Sequence, residues 1–120
     1  MPIENVAIAA IDDQLARAMS EAELQEHVRR LCEGLGLLYY HTHDARRSPE
    51  GFPDCVIGNP RAGRLIVREL KTERPKPTPA QQEWLEMLGS VHGIDAGIWR
   101  PRHLIDRTIA RELVELRGRS

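Results

Sequence analysis

The sequence predicts an α/β fold, and three observations carry that expectation. A capping-box signature opens a stretch with apolar residues at helical spacing. Three short apolar stretches bounded by glycine, proline and asparagine come after it. A second helix signature then precedes another strand-like run and a closing amphipathic stretch. The order is α-β-β-β-α-β-α, and 120 residues suit one compact domain with one core.

Residues 1–19 have weak periodicity interrupted by Asp12-Asp13, so a separate N-terminal segment with a short helix over residues 11–19 is expected. Ser20-Glu21-Ala22-Glu23 is the capping box. Leu24, Val28, Leu31 and Leu35 then mark one buried helical face, and Gly34 and Gly36 end it. Residues 37–40 read as a first strand and 41–51 as a polar, arginine-rich loop. A second strand is expected over 54–58 and a hairpin turn over 59–63. In the third strand, 64–71, Leu65, Val67 and Glu69 face one way and Ile66, Arg68 and Leu70 the other. Three prolines make residues 72–79 an extended connection, after which Thr78 caps a helix with Pro79 in its first turn. A fourth strand over 94–99 and a single terminal helix over 104–116 complete the chain. The domain is expected over 20–102, with 103–120 packed on it.

Composition narrows the function classes. Hydrophobic residues at 41% supply a core without disulfides or zinc, and charged residues at 29% fit a folded rather than a disordered chain. No apolar run is long enough to cross a bilayer and no secretory leader is visible, so a cytoplasmic protein without membrane association is expected. Cys32 and Cys55 are too few and too far apart for a metal knuckle and read as plain buried thiols. The net charge of −1 conceals basic clusters at Arg29-Arg30, Arg46-Arg47, residues 61–68, Lys71 to Lys76 and Arg100-Pro101-Arg102. A neutral total can therefore hold a positive face; scattered solvated charge is the plainer alternative.

The chemistry concentrates on Asp54, Glu69 and Lys71. Glu69 and Lys71 are two residues apart and project from the same face of one strand. Asp54 opens the neighbouring strand and reaches that face if the hairpin pairs as drawn. Two carboxylates at close range repel unless a cation lies between them, and hard oxygen ligands favour Mg²⁺ or Mn²⁺. A lysine beside that cation can orient a water or stabilise charge in phosphodiester hydrolysis. Glu-x-Lys alone is a weak signal; joined to Pro53-Asp54 at hairpin separation it is stronger.

Gly51-Phe52-Pro53-Asp54, then Glu69-Leu70-Lys71-Thr72, then Thr78-Pro79-Ala80-Gln81 with Trp84-Leu85, resemble the VRR-NUC branch of the PD-(D/E)xK nucleases. The stretches Tyr40 to Asp44, Arg46-Arg47-Ser48 and Trp99-Arg100-Pro101 fit the same pattern. The resemblance, to a stand-alone phage or bacterial type similar to Holliday-junction resolvases, covers residues 20–101. It implies a restriction-endonuclease-like core (α-β-β-β-α-β) and Mg²⁺- or Mn²⁺-dependent DNA cleavage in a bacterial or phage-infected cell. It assigns metal-binding carboxylates to Asp54 and Glu69, the active-site lysine to Lys71, and a further metal contact to the backbone carbonyl of Leu70. It also implies a first-helix glutamate, for which Glu21 is preferred and Glu23 competes, and a glutamine at Gln81, with Gln82 as its rival. Arg46, Arg47, Ser48, His43 and Lys76 are the candidate DNA contacts. Branched DNA is the expected substrate and a homodimer the expected assembly.

Plainer roles compete at several positions. Asp54 and Glu69 taken singly read as solvated strand-end charges, and Lys71 as a salt-bridge partner of Glu69. Glu21 suits the dipole of its helix first turn, and Gln81 can be a surface residue. His41 and His43 alternate as zinc ligands would, but only Asp44 lies near as a third ligand. Trp84 and Trp99 read as core residues. Competing functions are a non-catalytic DNA-binding or assembly module on this fold, and a nuclease active only within a larger complex.

Overall fold

A computed structural model of the chain describes residues 3–42 and 50–118. Its elements run α1 (Ile3–Ala18), α2 (Glu21–Gly34), β1 (Leu38–His41), β2 (Cys55–Asn59), β3 (Arg64–Leu70), α3 (Pro79–Gly89), β4 (Ile94–Trp99), α4 (Pro101–Ile105) and α5 (Thr108–Arg117). The four strands form one mixed sheet in the order β1-β2-β3-β4. The first two pairings are antiparallel, and β4 joins β3 in parallel. A parallel neighbour requires a crossover, and α3 supplies it.

Strand alternation sorts the residues between two faces. Cys55, Ile57, Ile66, Leu70 and Trp99 pack with Leu24, Val28 and Cys32 of α2 and with Ile109, Leu113 and Leu116 of α5. All of these are less than a tenth exposed, and the two cysteines are buried free thiols, as expected. The helix α3 lies along β4 and buries Leu85. A charged network ties α5 to the sheet. Glu112 accepts hydrogen bonds from Trp99 Nε1 at 3.2 Å and Arg68 Nη2 at 3.3 Å. The buried Arg68 guanidinium also lies over the Trp99 ring, 5.1 Å from its centroid.

The helix caps match the sequence expectation. Ser20 and Glu23 close a capping box on α2; Thr78 and Gln81 close another on α3, with Pro79 in the first turn. Gly36, at φ 69°, adopts the left-handed conformation that lets the chain leave α2.

Two elements differ from expectation. The first helix starts at Ile3 rather than near residue 11. Ala7, Ala9, Ala10, Ala16 and Ala18 give it intrinsic helix propensity that does not register as apolar periodicity. It packs against α4 and buries Ala16. The terminal helix is two helices, because Arg107 takes a left-handed φ of 69° between α4 and α5. The Asp106 carboxylate accepts the Thr108 N–H at 2.9 Å, a local bond that restarts the chain as α5.

Candidate metal centre

The hairpin of β2 and β3 sets the geometry. Cys55 pairs with Arg68, so Asp54 stands across from Glu69 one step beyond the last paired residues. Asp54 is held at both ends of the residue. Its carbonyl accepts the Thr42 N–H at 3.0 Å, and its carboxylate Oδ2 accepts the Leu70 N–H at 2.8 Å. That second bond fixes the carboxylate beside β3. Glu69 is 3% exposed. Glu21 comes from the first turn of α2. Carboxylate oxygens of Glu21, Asp54 and Glu69 lie within 4.8 Å of one another.

Glu23 does not join them. Its carboxylate accepts the Ser20 N–H at 3.2 Å in the capping box. The box thus separates the two first-helix glutamates: one caps the helix and the other faces the cluster.

The electrostatics of the cluster are those of a site short of positive charge. Burial holds the Glu69 carboxyl well above the usual carboxylate range, and hydrogen bonding to Asp54 together with that neighbour's charge push it the same way. The Lys71 ammonium opposes the shift. Glu21 is raised by its partial burial and by Asp54, again with Lys71 opposing. Glu69 Oε2 is buried without a hydrogen-bond partner, an expensive state for a carboxylate oxygen. Three carboxylates, one of them with an unsatisfied buried oxygen, fit a hard divalent cation, whose charge would reverse each of these shifts.

Lys71 lies one residue past β3, and its N–H donates to the Trp99 carbonyl at 3.0 Å, extending the β3–β4 pairing. Leu70 is a core side chain at 1% exposure, so only its backbone is available to the site. Preceding Asp54, Gly51 has φ 90°, and a Cβ placed there would come within 2.5 Å of the Ala80 backbone. The loop thereby sits directly on the start of α3, and Phe52 stacks edge-on against Trp84 at 5.2 Å. Trp99 is a core residue, as expected; Trp84 is half-buried under this loop.

Of the other expected site residues, Gln81 and Lys76 are among the described residues. The Gln81 side chain accepts the Thr78 N–H at 2.9 Å as the capping-box partner, and Gln82 donates to Glu86 on the surface of α3. Lys76 is exposed on the connection between β3 and α3. His43, Arg46, Arg47 and Ser48 lie outside the described residues. His41 is half-buried at the end of β1.

Two arginines near the site were assigned no role from sequence. Arg100 Nη1 donates to the Thr72 carbonyl at 2.6 Å, and Arg102 Nε to the buried Glu73 carboxylate at 3.0 Å. The basic cluster at Arg100-Pro101-Arg102 was visible, but its target across the sheet was not.

Comparison with known proteins agrees with this fold. A family model described as the VRR-NUC domain matches residues 2–102. A solved structure described as a VRR_NUC domain superposes with a TM-score of 0.61 at 28% identity, covering 78% of this chain and 97% of that one. No curated protein matches the chain.

Proposed function

Because the chain belongs to the VRR-NUC domain family, a nuclease family, we propose that it is a metal-dependent DNA endonuclease. The observation that carries the reading is the meeting of Glu21, Asp54 and Glu69, with Glu69 Oε2 buried and unsatisfied. These carboxylates are the proposed ligands of Mg²⁺ or Mn²⁺, with the Leu70 carbonyl as a backbone ligand. Such a cation supplies Lewis acidity toward the phosphate and a lowered pKa for water. Asp54, oriented by the Leu70 N–H, and Glu69, restricted by burial, would hold such a cation. Lys71 orients the attacking water and offsets charge on the phosphoryl oxygens. The water oxygen bonds to phosphorus as one ester P–O bond breaks; the water proton passes to solvent, and the departing sugar oxygen takes up a proton from solvent. Arg46, Arg47, Ser48, His43 and Lys76 are the proposed contacts to the DNA backbone, and Gln81 a further site residue beyond its cap.

The proposed substrate is branched DNA, four-way junctions in particular. The matched domain, residues 2–102, is small and by itself offers little surface for reading base sequence. Symmetric cutting of a junction requires two active sites related by a twofold axis, hence a homodimer. Ile8, Ile11 and Leu15 of α1 are each more than half exposed and share one side of the helix, an apolar surface of the kind that marks a protein contact. No described helix is long and apolar enough to cross a membrane, and action in the cytoplasm of a bacterial or phage-infected cell is part of the proposal.

Linear, flap and four-way-junction DNA incubated with Mg²⁺, Mn²⁺ or EDTA tests this reading. We expect metal-dependent cleavage of the junction at paired symmetric positions, lost in EDTA and reduced at least a hundredfold in Lys71→Ala. Cleavage of no substrate by the wild type, with no change in Lys71→Ala, would reject an autonomous nuclease.

A further inference from the structure

We infer that Arg100 is a positioning residue for Lys71, acting through the backbone carbonyl of Thr72; the inference rests on the proposed nuclease function. β3 ends at Leu70, and Lys71 adds one last bond to β4 before the chain leaves the sheet. The connection beyond it carries prolines at 75, 77 and 79, and no helix or strand supports it before Pro79. A lysine has four rotatable bonds, and a backbone free to rotate at its C-terminal side would let its ammonium swing away from the carboxylates.

Two bonds from one corner of the fold prevent that rotation. The Lys71 N–H is held by the Trp99 carbonyl at 3.0 Å, and the next carbonyl along, that of Thr72, accepts Arg100 Nη1 at 2.6 Å. Consecutive residues at the junction of β4 and α4 therefore grip the backbone on either side of Lys71. The corner is itself rigid. Trp99 is 1% exposed, Pro101 is buried with its φ set by its ring, and the Arg100 N–H donates to His103 Nδ1 at 2.9 Å. Arg102 extends the grip by one more residue through the buried Glu73 carboxylate. A guanidinium suits this task, because its planar fork stays charged and loses little freedom on binding a carbonyl.

Arg100→Met keeps the stem and removes the guanidinium; Arg100→Lys restores a charged donor. With junction DNA and Mn²⁺, Arg100→Met should lower kcat at least tenfold, with KM, Mn²⁺ affinity and Tm within error of wild type. Arg100→Lys should recover most of the loss. In a Lys71→Ala background, Arg100→Met should cost less than twofold, because its route to the chemistry is already gone. An equal tenfold loss in that background, or a loss confined to KM or Tm, would overturn the inference. Should the wild type cleave no DNA, the nuclease reading fails separately. The positioning role is then read from the ¹³C-dimethyl resonance of Lys71, which shifts in Arg100→Met if the arginine sets that side chain and stays in place if it does not.

Discussion

At Glu69 a carboxyl with an ordinary pKa of 4.5 is 3% exposed beside a second carboxylate, and burial and Asp54 together favour its protonated form. A proton held more tightly in the folded than in the unfolded state makes stability fall as pH rises. Metal-free protein should therefore lose stability from about pH 4.5 upward through neutrality, where the unfolded chain ionises freely and the folded one does not. Mn²⁺ competes with that proton, so its binding should release protons at neutral pH and tighten as pH rises. Glu69→Gln resembles the protonated side chain and should raise metal-free stability at pH 7 by roughly 1–3 kcal/mol while removing Mn²⁺ binding. Calorimetry in two buffers of different ionisation enthalpy reads the protons, and thermal melts with and without Mn²⁺ read the stability. A melt independent of pH between 5 and 8, or Mn²⁺ binding undiminished in Glu69→Gln, would refute this account. At this scale much was legible in sequence, and more than periodicity alone suggests. The Ser20-x-x-Glu23 box was legible as a cap, but sequence left Glu21 and Glu23 both open for the site; the structure puts Glu23 in the cap and Glu21 beside Asp54 and Glu69. Arg100 was not legible, because its partner lies 28 residues away across a parallel pairing.

Elements that position the site owe their placement to a few close approaches. Gly51 combines a φ of 90° with backbone contact on Ala80 that leaves no room for a methyl group. Gly51→Ala should destabilise the protein by roughly 2–4 kcal/mol, summing the strain of positive φ with overpacking against a helix backbone. Because the glycine lies three residues before Asp54, Mn²⁺ affinity should fall as well. Urea denaturation and metal titration of the variant measure both effects; a loss under 1 kcal/mol would show that the loop can leave α3 freely. The four strands were readable to within a residue or so at their ends from turn residues and alternation, including the faces of β3. The break between α4 and α5 was not, since Arg107 carries no left-handed signal of the kind glycine or asparagine gives. Nor was the role of Asn59, whose side chain donates to the Leu116 and Arg117 carbonyls while accepting from Arg61 and Ala62 in its own turn. Sequence marked it as a turn residue; only the tertiary fold shows it capping the end of α5.

Across the whole molecule, apolar surface is distributed unevenly. The sheet face under α2 and α5 is closed by buried side chains, whereas α1 presents Ile8, Ile11 and Leu15 at 56%, 55% and 54% exposure. Their spacing of three and four residues places them on one side of the helix, away from Ala16, which is 2% exposed against α4. Weak periodicity in residues 1–19 has this origin: Ala16 and the half-buried Asp12 and Asp13 are the least exposed side chains of the helix, whereas its large apolar ones are exposed, the reverse of an ordinary amphipathic helix. A second copy of the chain is the occupant that the proposed paired cleavage of a junction would demand, and a twofold axis would let one self-complementary stripe serve both protomers. Ile11→Lys and Leu15→Lys together would place two charges in such a contact. Light scattering after size exclusion should then give a dimer mass for the wild type and a monomer mass for the double variant, with Tm of the monomer little changed because neither side chain enters the core. Junction DNA should discriminate further: coordinated cuts at symmetric positions should disappear, while single nicks persist because Glu21, Asp54, Glu69 and Lys71 come from one chain. A wild type that is monomeric at assay concentration, or a double variant that still resolves junctions in pairs, would move the twofold contact away from α1.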